Sequence, residues 1–303
     1  MDLHTSLRLS AVVAAALVLG SCQTSGSRVV LPVAFEEPAA AAALRYPEDF
    51  ASHEAAVRGV ASLLSRELAL PVPDRVMVYI YSSRAVFEQG LMTDGRLPAV
   101  RAAELSEFAI GVGKRRQLLL QDDGAPPAAR EWLRLVAHEL THVAQIELAQ
   151  GEGRAEQWLA EGMAEWAAFT VLERLGLDSL AEHRAVARGH VREQAALREA
   201  RLDLESLGSP RGFTVRHLRE GSLPTYQLSF LMTDYLIRRH GFERLVDYYG
   251  SFATGLGRHE AFRQAFGQTL ESFEALLRGR VFGQFNTCEP LDLADVTRAG
   301  HLR

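Results

Sequence analysis

This 303-residue chain is poor in lysine and cysteine: it contains one lysine, Lys114, and two cysteines, Cys22 and Cys288. Nearly all of its positive charge is therefore carried by arginine, which together with the abundant alanine indicates codon bias rather than a function. Neither cysteine belongs to a C-x-x-C pair. Metal sites built from several thiolates are accordingly excluded.

A large excess of charge and internal repeats are also missing. The formal net charge is -5, with 48% hydrophobic and 23% charged residues, which is an ordinary balance for a globular protein. A chain of negative charge has no general attraction for a phosphate backbone, so we expect no nucleic-acid partner. The length is sufficient for a large core in one or two domains.

The N-terminus is typical of an export signal. Arg8 precedes an apolar run, Ala11 to Leu19, which is shorter than the roughly 20 residues that a membrane-spanning helix needs. The run ends in Leu-Gly-Ser-Cys at Cys22, which resembles a bacterial lipobox and implies a signal peptide at 1–21 and a lipid on Cys22. By the sorting rule of such proteins, Gln23 implies a periplasm-facing anchor in the outer membrane. The alternative is an ordinary signal peptide with an incidental cysteine.

Lipidation of Cys22 would leave Cys288 alone, so that no internal disulfide can form. The polar residues that follow Cys22 begin a segment, 22–45, that we interpret as a tether to the membrane. The next segments are predicted to be an N-terminal α/β part at 46–125 and a helical part at 126–283. Residues 284–303 are predicted to form a C-terminal tail.

The motif on which the functional prediction depends is His138-Glu139-Leu140-Thr141-His142. Residues four apart lie one above the other on a helix, so both imidazoles can reach one metal ion. Glu139 is rotated by roughly 100° from His138 and falls beside the ion, where a general base would act on bound water. The alternative is a buried helix with two satisfied histidines.

The surroundings of the motif favour a metal site. Pro126 and Pro127 predict the start of a helix and Gly151 and Gly153 predict its end. The helix between them is apolar on nearly every side, so two histidines within it need partners.

A second motif supplies a third ligand. Residues 158–166 read Trp-Leu-Ala-Glu-Gly-Met-Ala-Glu-Trp, with Glu161 and Glu165 as the acidic positions. A turn followed by a second helix, predicted from about Arg154 to Leu175, would return Glu161 to the two histidines, as a zinc site with one open position requires. Glu165, one turn further on, is placed to hydrogen-bond a ligand histidine.

H-E-x-x-H followed by W-L-x-E-G-x-A-E resembles the gluzincin metallopeptidases, and most closely their M1-like peptidase MA domains. The resemblance implies one Zn²⁺ held by His138, His142 and Glu161, with Glu139 as the catalytic base. It also implies a zincin-like α+β fold, in which a small mixed sheet precedes a mostly helical half and the active-site helix lies between them. The metzincin pattern is excluded, because Gln145 and Leu148 stand where it requires glycine and histidine.

The substrate in gluzincins pairs with an edge strand, and we expect that strand within residues 108–121; the alternative is a plain core hairpin. The strand candidates are 76–81, 108–112 and 117–121. An edge offers unpaired N–H and C=O groups to a peptide or protein substrate. The aminopeptidase signature G-x-M-E-N is missing, so the sequence shows no acidic anchor for a substrate amino terminus.

The second half of the chain is predicted to be helical, with a glycine-rich connection at 206–223 and a long helix from 223 to 240. By resemblance, Tyr226 near the start of this helix is the candidate donor to the oxyanion; its alternative is a core tyrosine. Tyr235 and His217 are weaker candidates. His183 and His190, seven apart, are interpreted as surface histidines rather than a second metal site.

The combined prediction is an envelope-anchored zinc peptidase in which Glu139 and Tyr226 act on the scissile bond. Two other functions stay open. One is a binding or scaffold protein that keeps the metal for structure, although such a site has no need of Glu139. The other is an envelope hydrolase acting on the amide bonds of cell-wall peptides, since the same chemistry serves both substrates.

Overall fold

The computed structural model describes residues 26–35, 46–122, 124–151, 155–193 and 202–278. Within these residues, a four-stranded mixed sheet precedes a long series of helices. The α+β class predicted from the sequence is therefore confirmed. The predicted leader with Cys22 and the predicted tail with Cys288 lie outside the described residues.

The sheet has the order β1-β2-β4-β3. Strands β2 and β4 pair in parallel, and the other two pairs are antiparallel. The strands are β1 (Arg28–Ala34), β2 (Arg75–Tyr81), β3 (Gly111–Lys114) and β4 (Gln117–Gln121). Strand β3 therefore lies at one edge of the sheet and β1 at the other.

Strand β1 corrects the prediction of a tether over 22–45. All seven of its residues pair with β2, from Arg28 opposite Tyr81 to Ala34 opposite Arg75. Two of its apolar residues, Val29 and Val30, are exposed, so the segment lacks the buried alternation that identifies a strand from sequence. The tether prediction is wrong for residues 28–34.

The predicted hairpin at 108–121 is confirmed with a shift in its first strand. Strand β3 begins at Gly111 rather than Phe108 and continues through Lys114, so the turn is shorter than the sequence indicates. Arg116 takes the left-handed conformation in this turn, with φ of 58°.

Helices pack on both faces of this sheet and extend well beyond it. No helix among the described residues is both long enough and apolar enough to cross a bilayer. The helices are α1 (His53–Leu68), α2 (Arg84–Thr93), α3 (Ala99–Ser106), α4 (Arg130–Ala149), α5 (Gln157–Arg174), α6 (Leu180–Glu193), α7 (Leu204–Leu207), α8 (Pro210–Glu220), α9 (Leu228–His240), α10 (Glu243–Ser251), α11 (Arg258–Phe266) and α12 (Leu270–Leu277).

Helix α4 is the central element of the molecule. It packs against β3, β4 and α1 on one side and against α5 and α10 on the other. Its apolar side chains Trp132, Val136, Leu140 and Val143 are almost completely buried. The helix that carries the H-E-x-x-H motif is thus held between the sheet and the helical half, as predicted.

Helix α5 packs against α4 and α9. A residue without a side chain, Gly162, lies where it meets α9. A Cβ on Gly162 would lie 2.2 Å from Thr233 Oγ1 and 2.3 Å from the carbonyl oxygen of Ser229. Only glycine therefore allows this close approach. The glycine of the second motif is explained by helix packing next to Glu161.

Two helical segments differ from the prediction. The connection predicted at 206–223 contains α8, which begins with Pro210 at its first position and with the Ser209 side chain accepting a hydrogen bond from the Gly212 amide. Proline and a serine cap are sequence signals for a helix start. The long helix predicted from 223 begins with a π-helical turn, Leu223–Gln227, and continues as α9.

Candidate metal centre

Helix α4 presents both histidines of the motif to one point. His138 and His142 are one turn apart, and their Nε2 atoms are separated by 3.1 Å. Both side chains are largely buried, with 11% and 16% of their surface exposed. Imidazoles in such surroundings need polar partners, and the next helix provides them.

Helix α5 brings Glu161 to the same point. Its Oε2 lies 3.3 Å from His138 Nε2 and 3.5 Å from His142 Nε2. Its other oxygen accepts a hydrogen bond of 2.8 Å from Gln157 Nε2. The predicted convergence of three residues is confirmed, and among the described residues only these form a group suited to a metal ion.

The spacing of the three donor atoms fits zinc. Donors held at about 2.0–2.1 Å around a tetrahedral ion lie about 3.3 Å from one another. The three observed separations are 3.1, 3.3 and 3.5 Å. Two imidazoles and one carboxylate are a donor set that suits a zinc ion.

Protons and a cation would compete for these donor atoms. Burial disfavours the charged form of His138, yet hydrogen bonds to Glu161 and Glu165 raise its pKa to about 10. Burial also works against ionisation of Glu161, but the two histidines hold its pKa well below the usual range. Binding of a cation must therefore release protons and grows stronger as the pH rises.

Glu165 and Arg134 support His138 on the Nδ1 side of its ring, away from Glu161. Glu165 Oε1 lies 3.4 Å from His138 Nδ1, as the sequence predicts for this residue. Arg134 Nη2 lies 2.6 and 2.5 Å from the two oxygens of Glu165. Despite the cost of burial, contacts with His138 and Arg134 lower the pKa of Glu165 to about 2. Arg134 precedes His138 by one helical turn but belongs to neither sequence motif, so the motifs did not predict its role.

Glu139 lies between the metal-binding group and the edge strand. Its Oε2 accepts a hydrogen bond of 2.6 Å from the amide of Gly113, and burial raises the pKa of its carboxyl. A Cβ on Gly113 would lie 2.3 Å from the carbonyl oxygen of Glu139 and 2.9 Å from the Cβ of His142. Glycine at this position lets β3 lie directly against the H-E-x-x-H turn.

The free edge of β3 faces the same region. The amide of Gln121 donates to the carbonyl of Ile110, and the register pairs Gly111 with Leu120 and Gly113 with Leu118. Because hydrogen-bonded and non-hydrogen-bonded pairs alternate along an antiparallel ladder, the polar groups of Gly111 and Gly113 point away from β4. The predicted edge strand therefore directs backbone donors and acceptors toward the site.

A cleft of about 300 Å³ connects these groups. Two contacts join the first half of the chain to α8 beside this cleft: the rings of Phe108 and His217 are 4.7 Å apart, and Arg101 Nη1 lies 3.4 Å from Thr214 Oγ1. The lining of the cleft includes β3, the three metal-binding residues, Glu139 and Tyr226. The cleft therefore extends from His138, His142 and Glu161 to strand β3.

Tyr226 lies beside the metal centre, in the π-helical turn before α9. Its ring centre is 6.4 Å from that of His138 and 5.3 Å from that of His217. Burial, reinforced by Glu161 and Glu139, raises the pKa of its phenol well above the usual value. A phenol that keeps its proton is a hydrogen-bond donor at neutral pH.

The remaining candidates lie apart from the metal-binding group. Tyr235 accepts a hydrogen bond from Arg239. His183 pairs with Asp178 at 2.7 Å and stacks on Phe169. His190 contacts Gln227. The two histidines do not share a metal-binding group within the described part of the chain.

Comparison with protein-family models gives no match, and comparisons with curated proteins and with solved structures give none either. The functional argument therefore depends on the motif residues, their distances and their surroundings.

Proposed function

We propose that this chain is a zinc-dependent metallopeptidase of the gluzincin type. The main support is the spacing of His138, His142 and Glu161, which fits a tetrahedral cation with one open position. A buried carboxylate, Glu139, and an open strand edge border the same cleft. A site that held a metal only for structure would need neither feature.

His138, His142 and Glu161 would hold the zinc ion, which when bound would supply Lewis-acid polarisation of the scissile carbonyl and acidify water at the site. Glu139 is placed to accept the proton of the attacking water and to return it to the departing amine. Glu165 and Arg134 keep the His138 ring in place during both transfers.

The edge of β3 is suited to an extended peptide. The outward N–H and C=O groups at Gly111 and Gly113 offer the hydrogen bonds of an added antiparallel strand. The amide of Gly113, which binds Glu139 in the free protein, becomes available once the carboxylate turns toward water. Tyr226, on the other side of the cleft, is placed to donate a hydrogen bond to the oxyanion.

The experiment that tests this function compares the mature protein with Glu139→Gln and His138→Ala. Glu139→Gln should retain one zinc ion per chain and lose at least about 100-fold in kcat on an unstructured protein, because it removes the general base. His138→Ala should lose both zinc and activity. Metal analysis and peptide-release assays with and without chelator provide the measurements.

A Glu139→Gln protein as active as the wild type would contradict the mechanism. A zinc-loaded wild type that cleaves neither an unstructured protein nor cell-wall stem peptides would favour the scaffold function. Cleavage of the stem peptides alone would identify the protein as an envelope amide hydrolase.

We further propose that the protein is anchored in the outer membrane through a lipid on Cys22 and faces the periplasm. The leader and lipobox-like sequence support this location. Metabolic labelling with a fatty acid, compared between wild type and Cys22→Ala, tests it.

A further inference from the structure

Gln145 lies next to His142, on the Nδ1 side of its ring. It follows His142 by three residues on α4 and is 5% exposed. Its Oε1 lies 2.9 Å from His142 Nδ1, and its Nε2 lies 3.0 Å from the carbonyl oxygen of Ala160. One buried amide therefore contacts a metal-binding histidine of α4 and the residue immediately before Glu161 on α5.

The chemistry of these contacts determines the state of His142. The carbonyl of Ala160 can only accept a hydrogen bond, so the NH₂ group of Gln145 must face it. The Oε1 of Gln145 then faces His142 and can only accept, so Nδ1 of His142 must carry a proton. The neutral imidazole consequently keeps its lone pair on Nε2, the atom that faces His138 and Glu161.

We propose that Gln145 is a positioning residue for the metal centre, which fixes His142 as an Nε2 ligand and holds α4 and α5 at the distance that lets Glu161 bind the same ion. The proposal builds on the proposed zinc function and assigns this role to a residue outside both sequence motifs.

The two histidines are then supported by different chemistry. Nδ1 of His138 faces the carboxylate of Glu165, whereas Nδ1 of His142 faces a neutral amide. A carboxylate partner for both would add a second negative charge beside Glu161 and Glu139. The amide avoids that charge and also donates to the neighbouring helix, which a carboxylate cannot do. Loss of Gln145 should therefore weaken metal binding rather than abolish folding.

The test measures zinc affinity by chelator competition in the wild type, Gln145→Met and Gln145→Glu. Gln145→Met keeps the side-chain length without either hydrogen bond, and affinity should fall about 10- to 100-fold, as for other residues that support a ligand. Gln145→Glu keeps the acceptor for His142 but cannot donate to Ala160, so its affinity should lie between those of the wild type and Gln145→Met. The electronic spectrum of the Co²⁺ form should change more in Gln145→Met than in Gln145→Glu.

Equal zinc affinity in the wild type and Gln145→Met would overturn the proposal and leave the peptidase function intact. Equal losses in both variants, in parallel with a lower Tm of the metal-free proteins, would reduce Gln145 to a structural residue and also overturn it. A wild type that binds no zinc would overturn both proposals.

If Gln145→Met does not fold, a measurement on the wild type tests the proposal instead. In the zinc-loaded protein with ¹⁵N-labelled histidine, the Nδ1 proton of His142 should be visible and protected from exchange with solvent. A freely exchanging proton, or a metal bound through Nδ1, would contradict the proposed arrangement.

Discussion

At the scale of single residues, the site combines ligands with side chains that fix their orientation. Arg134 binds Glu165, Glu165 faces His138, and Gln157 holds one oxygen of Glu161. Loss of such a supporting contact is expected to lower metal affinity about 10- to 100-fold. The one catalytic assignment that no hydrogen bond yet supports is that of Tyr226.

Tyr226 can be tested against Tyr235, which lies in the same helical region outside the cleft. Tyr226→Phe should lower kcat by about 10²- to 10³-fold with little change in KM, because an oxyanion donor acts mainly in the transition state. Tyr235→Phe should retain wild-type kinetics and serves as the control. Steady-state kinetics on one peptide measures both. Similar kcat values for the two variants would exclude Tyr226 as the donor.

At the scale of elements, the site depends on how closely α5 approaches α4 and α9. On helix α5, Glu161 is followed directly by Gly162, which contacts α9. The packing of α5 against α9 therefore determines the position of Glu161 relative to the two histidines. The close contacts of Gly162 with Ser229 and Thr233 involve backbone as well as side-chain atoms, and backbone cannot move aside without shifting the helix.

Gly162→Ala should destabilise the metal-free protein by about 1–3 kcal/mol, the usual cost of overpacking, and should lower zinc affinity because Glu161 moves with the helix. Gly189→Ala on α6 is the matched control. Its added methyl group meets no atom within 4 Å, and alanine should gain up to about 1 kcal/mol of helix propensity. Denaturant unfolding of both variants measures the difference, and a stabilised Gly162→Ala would show that the packing argument is wrong.

Sequence was sufficient where short-range geometry decides the structure. The spacing of His138 and His142 places both on one helical face, and Pro126 with Gly151 brackets that helix to within a few residues. Sequence was insufficient where the structure of a segment depends on a partner that is distant in the chain. Strand β1 owes its conformation to β2, and the importance of Gln145 and Arg134 appears only once α5 is packed against α4.

At the scale of the whole molecule, the C-terminal helices hold the start of α5. The amide of Glu156 donates to Tyr248 on α10, and the amide of Gln157 donates to the carbonyl of Gly208 after α7. The Glu156 carboxylate, fully buried, lies 3.3 Å from Arg258 Nε on α11. Residues more than 40 positions away in sequence thus determine where the helix bearing Glu161 begins.

Glu156 should also make stability depend on pH. Burial, partly offset by Arg258, raises the pKa of its carboxyl from 4.5 to about 7. The folded protein therefore binds this proton more tightly than the unfolded chain, so the group's contribution to the free energy of unfolding falls as the pH rises from about 4.5 to 7. Glu156→Gln removes the titration and should flatten this part of the profile by about 1–3 kcal/mol.

Denaturant unfolding of the metal-free protein at pH 5 and pH 8 measures the effect. Glu131→Gln, at an exposed position on α4, is the control and should leave the difference between the two pH values unchanged. The same difference in Glu156→Gln as in the wild type would show that this carboxyl does not titrate in the expected range.

The placement of β1 at the edge opposite β3 has a consequence for how a lipid anchor would hold the molecule. Six residue steps separate Cys22 from Arg28, and a chain of that length spans at most about 20 Å. A lipid on Cys22 would keep the β1 side of the molecule close to the bilayer. Strand β3 lies three strand spacings further on, about 15 Å away. The cleft beside β3 would then lie across the sheet from the anchored strand, with the whole width of the sheet between them.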